Sequence, residues 1–146
     1  GLIKHHSINP IDFLSVTHNL QDFNKLVHPE NNLKKTLSKI QGRKIIYTNA
    51  PKTYTNKILK ISKIFELFDE IFTIEDSNFI PKPDQDMMDT FLKKYNISEG
   101  FFIDDVKENL FTAKNSGLTT IWITNEKNQP SFIDKKIEKI SDLLSL

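Results

Sequence analysis

The chain has 146 residues, with 20 Lys plus Arg against 19 Asp plus Glu and a formal net charge of +1. That length suits one domain with a real core, and the even charge balance gives no argument for nucleic acid or an acidic membrane surface as a partner. Cysteine is absent, which excludes disulfides and thiolate chemistry, and no apolar run approaches the roughly 18 residues of a transmembrane helix.

No signal peptide opens the sequence, so a cytoplasmic location is expected. The first 30 residues read as helical and irregular. Asn9 suits an N-cap with Pro10 at the first helical position, and Ile11, Phe13, Leu14 and Val16 follow as a short helix. His5, His6, His18 and His28 lack the His-x-x-x-His spacing of a helical metal site. From residue 31 to 40, Leu33, Leu37 and Ile40 recur at helical spacing with lysines between them, and Gly42 fits a left-handed cap after that helix.

Residues 44–48 form the first apolar, β-branched run, and it ends on Thr48 and Asn49. A helix is predicted from 53 to 65, with Ile58, Ile61, Ile64 and Phe65 inward, and a strand over 70–73. Residues 75–83 read as a loop in which Lys82 stands between Pro81 and Pro83. Residues 84–95 carry Met87, Met88, Phe91, Leu92 and Tyr95 on one helical face, a stripe best explained as core packing. The run Phe101-Phe102-Ile103 then stops on two adjacent carboxylates, Asp104 and Asp105. A helix over 107–115, a punctuating Gly117 and a strand over 120–123 complete a βαβ unit. Residues 132–140 hold a further short strand, and 141–146 a terminal helical turn. Strands alternating with helices predict an α/β fold with a parallel sheet and right-handed crossovers.

In open α/β sheets, ligands bind outside the C-terminal ends of the strands. Thr48, Asn49, Asp104 and Asp105 occupy such ends, and Lys82 lies in a loop between strands. Two neighbouring carboxylates repel each other and resist desolvation, and a hard divalent cation relieves both costs. The plainer alternative is that Asp105 caps the following helix while Asp104 is merely solvated. A hydroxyl and a lysine at the same rim can hold a phosphoryl group, and the acids can hold the metal that shares it.

The order IIYTNAP (45–51), IPKPD (80–84) and FFIDDVKENLFTAKNSGLTTIWI (101–123) resembles motifs two, three and four of the haloacid dehalogenase-like hydrolase superfamily. Within it, INPIDFLSVTH and ISKIFELFDEIFTIEDSNFIPKP look like the pyrimidine 5′-nucleotidase-like group, so the likeness runs through nearly the whole chain. The resemblance implies a Rossmann-like three-layer core with a helical cap inserted after the first strand. It assigns residues 1–30 to a remnant of the cap and 31–146 to the core. It implies a Mg²⁺-dependent phosphohydrolase acting on a small phosphate monoester, such as a nucleoside monophosphate, through an aspartyl-phosphate. Thr48 would bind the phosphoryl group with Asn49 beside it, and Lys82 would stabilise its charge. Asp105 would be the metal ligand, Asp104 a second ligand or outer partner, and Asn109 a brace for the acidic loop.

One departure is large. The family's first motif, Asp-x-Asp-x-Thr, supplies the nucleophile and general acid-base, and it is absent from these 146 residues. The nearest arrangement, Asp84 and Asp86, opens a helix instead. With Gly1 and no Met at the start, the sequence reads as N-terminally truncated, lacking the first strand. Two expectations follow: no turnover by this chain alone, and unpaired strand edges that must close up, borrow a strand from a second copy in a homodimer, or leave the chain poorly folded. Val106 stands where Ser is usual in the group, and Ala50-Pro51 where Gly-Ser is usual. Two other readings are a non-catalytic phosphate-binding or interaction domain of the same fold and a response-regulator-like domain. The Lys82-Pro83 context argues against the latter.

Overall fold

The computed structural model describes residues 29–146; the short helix after Asn9, the four histidines and nearly all of the cap remnant lie outside them. The described chain divides into two compact units. One holds Lys44–Phe79, and the other holds Glu30–Arg43 with Ile80–Leu146.

The first unit is a parallel strand pair joined by a helical crossover. Strand β1 (Ile45–Tyr47) pairs with β2 (Glu70–Phe72), setting Ile45 against Glu70 and Tyr47 against Phe72. The Tyr47 ring meets the Phe72 ring edge-on, with centroids 5.0 Å apart, the arrangement aromatic quadrupoles favour. Between the strands runs a helix, Lys52–Ile61, opened by Pro51. Its Lys52 amide donates to both oxygens of Glu75 at 3.1 Å. A carboxylate there satisfies an orphan amide and complements the positive end of the helix. The predicted helix over 53–65 is shorter than expected. Lys63 takes φ 56, Ile64 is buried, and a separate 3₁₀ turn covers Phe65–Leu67.

The second unit holds a three-stranded parallel sheet. Strand β3 (Phe101–Asp104) pairs with β4 (Thr119–Ile123), and β4 with β5 (Lys135–Ile137). The helix Leu33–Lys39 precedes the first unit in the chain and belongs here; we label it α1, and Lys52–Ile61 α2. After α1, Gly42 adopts φ 86, as its sequence position led us to expect. The C-terminal 3₁₀ helix, Ile140–Ser145, is tied back by Glu30, whose carboxylate accepts from the amides of Ile140 (2.9 Å) and Ser141 (3.1 Å).

Two further helices frame β3. Helix α3 (Gln85–Lys94) is capped by Asp84, which accepts from the Met87 amide at 3.0 Å. It buries Met88 and Phe91 of the predicted stripe. Helix α4 (Lys107–Asn115) crosses from β3 to β4 and buries Leu110 and Ala113. It ends where Gly117 takes φ 85 and the Leu118 amide reaches back to the Ala113 carbonyl at 3.1 Å. This six-to-one bond is the Schellman closure, and glycine adopts its left-handed residue without a Cβ penalty. Core strand β4 buries Ile121 and Trp122 almost completely, each contributing roughly 1.5–3 kcal/mol or more from apolar burial.

The fold is therefore α/β with parallel sheets, as the alternation of elements led us to expect. Among the described residues the five strands form two sheets, β1-β2 and β3-β4-β5, where the sequence pattern suggested one.

Candidate active site at the end of β3

Strand β3 reaches one residue further than its apolar run, and the extra residue is Asp104. The alternation along β3 leaves Phe101 exposed, buries Phe102, half-buries Ile103 and buries Asp104. A carboxylate placed there must find partners, because burying an unpaired charge is prohibitively costly. It finds three. Lys82 Nζ lies 2.6 Å from Asp104 Oδ2. Asn109 Nδ2 donates to Oδ1 at 3.0 Å, and the Val106 amide donates to the same oxygen at 2.9 Å. The Lys82 and Asp104 side chains are only 11% and 7% exposed, so their charges attract each other with little screening by water.

The neighbourhood holds Lys82 in place. Its ammonium also stands 5.6 Å from the centroid of the Phe102 ring, a cation–π contact from the same strand that carries Asp104. The next residue, Pro83, follows a cis peptide bond, and its carbonyl accepts from Thr112 Oγ1 of α4 at 2.8 Å. The loop is thus pinned to the helix that also supplies Asn109.

Asp105 differs in every respect. It is exposed, and its backbone carbonyl accepts from the indole Nε1 of Trp122 at 3.0 Å. Helix α4 has Val106 at its N-cap and no side-chain cap bond. The plainer alternative for the pair therefore fails on both residues: Asp105 is not a cap, and Asp104 is not merely solvated. Buried Asp104 is committed to Lys82, Asn109 and Val106, while Asp105 offers a carboxylate to solvent.

Among the described residues, no three or more His, Asp or Glu side chains gather as a metal site. Mg²⁺ does not need such a cage, since it is usually held by one or two carboxylates with waters and substrate phosphate. Asp105, backed by Asp104, fits that demand.

Thr48 and Asn49 belong to the first unit, directly after β1. The Thr48 amide donates to the Phe72 carbonyl at 2.9 Å, and its Oγ1 accepts from the Ala50 amide at 3.1 Å. That bond fixes the hydroxyl at the mouth of the turn into α2 and leaves its proton free to donate. Lys82, Asp104 and Asn109 are thus brought into direct contact, with Asp105 adjoining them. Sequence reasoning missed Phe102, Thr112 and Trp122 as their supports. Only Trp122, a lone indole in a β-run one residue before its end, carried any signal.

The profile described as haloacid dehalogenase-like hydrolase matches residues 3–123. A comparison with curated proteins found no match. Among solved structures, the chain is similar to a HAD phosphatase from Thermococcus onnurineus, with a TM-score of 0.67 and 20% identity over 93% of this chain and 69% of that one. It is similar to the putative HAD-hydrolase YfnB from Bacillus subtilis, solved bound to magnesium, with a TM-score of 0.73 and 17% identity over 99% of this chain and 75% of that one. It is also similar to a dehalogenase, with a TM-score of 0.72 and 20% identity over 91% of this chain and 67% of that one. At these identities the likeness is one of fold, and the chain spans about two thirds to three quarters of each structure's length. The profile match covers most of the sequence, and the chain belongs to the haloacid dehalogenase-like hydrolase family.

Proposed function

We propose that this chain carries the metal- and phosphate-binding part of a hydrolase of small phosphate monoesters, of the pyrimidine 5′-nucleotidase-like group, with nucleoside monophosphates as the favoured class. The observation that carries this reading is the Lys82–Asp104–Asn109 cluster at the end of β3. Membership of a family with phosphatase relatives supports it.

In this reading, Asp105 is the carboxylate that holds Mg²⁺, and bound Mg²⁺ would neutralise phosphoryl charge. Asp104 fixes Lys82, and Lys82 presents positive charge to the phosphoryl oxygens. Asn109 keeps Asp104 oriented. Thr48, with Asn49 beside it, is the residue that the order of the motifs assigns to phosphoryl binding. These residues match the family's later motifs, and the sequence contains no Asp-x-Asp-x-Thr to supply the nucleophile. Binding without covalent turnover is the activity assigned to this chain alone.

The test is to mix the purified chain with Mg²⁺ and a panel of pyrimidine and purine nucleoside monophosphates, following binding by calorimetry and inorganic phosphate by colorimetry. Saturable binding with no phosphate release is expected. Release above a protein-free blank would show that a nucleophile is present after all. Failure to bind any monoester would overturn the hydrolase reading.

A further inference from the structure

The chain has a single tryptophan, Trp122. Trp122 lies in the middle strand of the three-stranded sheet, in register with Asp104 on β3. It is 1% exposed. Its one polar atom, Nε1, donates to the Asp105 carbonyl at 3.0 Å, and the Nζ of Lys107 lies 4.9 Å from the centroid of its ring. Lys107 is held in turn by Glu126 at 3.2 Å.

Asp105 and Lys107 flank Val106, whose amide is one of the three donors to Asp104. The indole therefore grips the acidic turn on both sides of that donor, by a hydrogen bond before it and a cation–π contact after it. An aliphatic core side chain in β4 would hold neither. Phenylalanine would keep most of the apolar burial and the face under Lys107, but it has no N–H.

We propose that Trp122 is the positioning residue of the acidic turn: its indole N–H fixes the Asp105 main chain and so aims the Asp105 carboxylate at a divalent cation. The cation part of this inference rests on the reading of Asp105 above; the positioning part rests on the geometry alone. Indirect partners of metal ligands typically change affinity by about 10–100-fold when lost. Acting through a carbonyl rather than the carboxylate, Trp122 belongs at the lower end, about 10-fold.

The experiment replaces the indole of Trp122 by 3-benzothienylalanine, which keeps the shape and substitutes sulfur for N–H, with Trp122→Phe as a second variant. Two quantities are read on the full chain by NMR: amide hydrogen exchange of Val106, and the Mg²⁺ dissociation constant from shifts of the acidic turn. The Thr120 amide, bonded to Asp134 at 2.8 Å on the same strand, reports general loosening. The expected result is faster Val106 exchange, Thr120 exchange unchanged and Mg²⁺ affinity about 10-fold weaker. Val106 protection unchanged in the benzothienyl variant would overturn the proposal, as would equal loosening of Val106 and Thr120. Loss of Val106 protection with Mg²⁺ affinity unchanged would overturn the aiming of Asp105. If the unaltered chain binds no Mg²⁺, the metal reading falls while Val106 exchange still decides the positioning.

Discussion

At the scale of single residues, the molecule distinguishes two carboxylates that the sequence sets side by side. Asp104 is the last residue of β3 and points into protein; Asp105 begins the turn and meets solvent. One step along a strand reverses the side-chain direction, and that alone separates a buried, paired charge from an accessible one. Lys82 makes the burial of Asp104 tolerable. Removing one partner of a mostly buried pair leaves the other charge stranded, so Lys82→Ala is expected to lower unfolding stability by about 3 kcal/mol. Asp105→Ala, at an exposed position, should cost under about 0.5 kcal/mol. Urea unfolding of both variants checks this, and equal losses would remove the distinction. The nearness of Lys82 to the acids at the end of β3 was legible in the sequence, because the prolines and the Asp-Asp pair mark both loops. Which of the two acids takes the lysine was not, since it depends on where β3 ends.

At the scale of elements, the sheet is locked at the entry to β4 and β5. Asp134 accepts from Lys114 at 2.6 and 2.8 Å and from the Thr120 amide at 2.8 Å. The Lys114 ammonium first, and then the Thr120 amide, hold its carboxyl down at about 2, against an ordinary 3.8. The folded value lies below the unfolded one, so the stabilisation is complete above about pH 4 and is lost as the pH falls through about 2. Asp134→Asn should therefore be less stable than the parent at pH 7, with the gap closing as the pH falls from about 4 toward 2. Carboxyl NMR titration and acid unfolding read the midpoint and the gap, and an Asp134 midpoint near 4 would contradict the assignment. The same lock explains a gap in what the sequence disclosed. Residues 132–140 read only vaguely as a strand because β5 is three residues long and is placed by its ladder to β4 and by Asp134, not by an apolar pattern. The end of α2 was hidden for a related reason. The periodicity of Ile58, Ile61 and Ile64 runs on, while Lys63 turns left-handed with no glycine to announce it. Longer runs such as Thr119–Ile123 carried their assignment in their own residues.

At the scale of the whole chain, family membership and the βα pattern were both legible, because three separated motifs occur in order along most of the sequence. The arrangement of strands into two sheets was not, since pairing between distant segments leaves no local mark.

The most direct test of Asp105 as the Mg²⁺ carboxylate uses Mn²⁺ in place of Mg²⁺ and follows paramagnetic broadening in the amide NMR spectrum. Broadening is expected first at Asp104, Asp105, Val106 and Lys107, with reversal by excess Mg²⁺ and loss in Asp105→Asn. Broadening centred instead on Asp134 or Glu126, or unchanged in Asp105→Asn, would contradict the account.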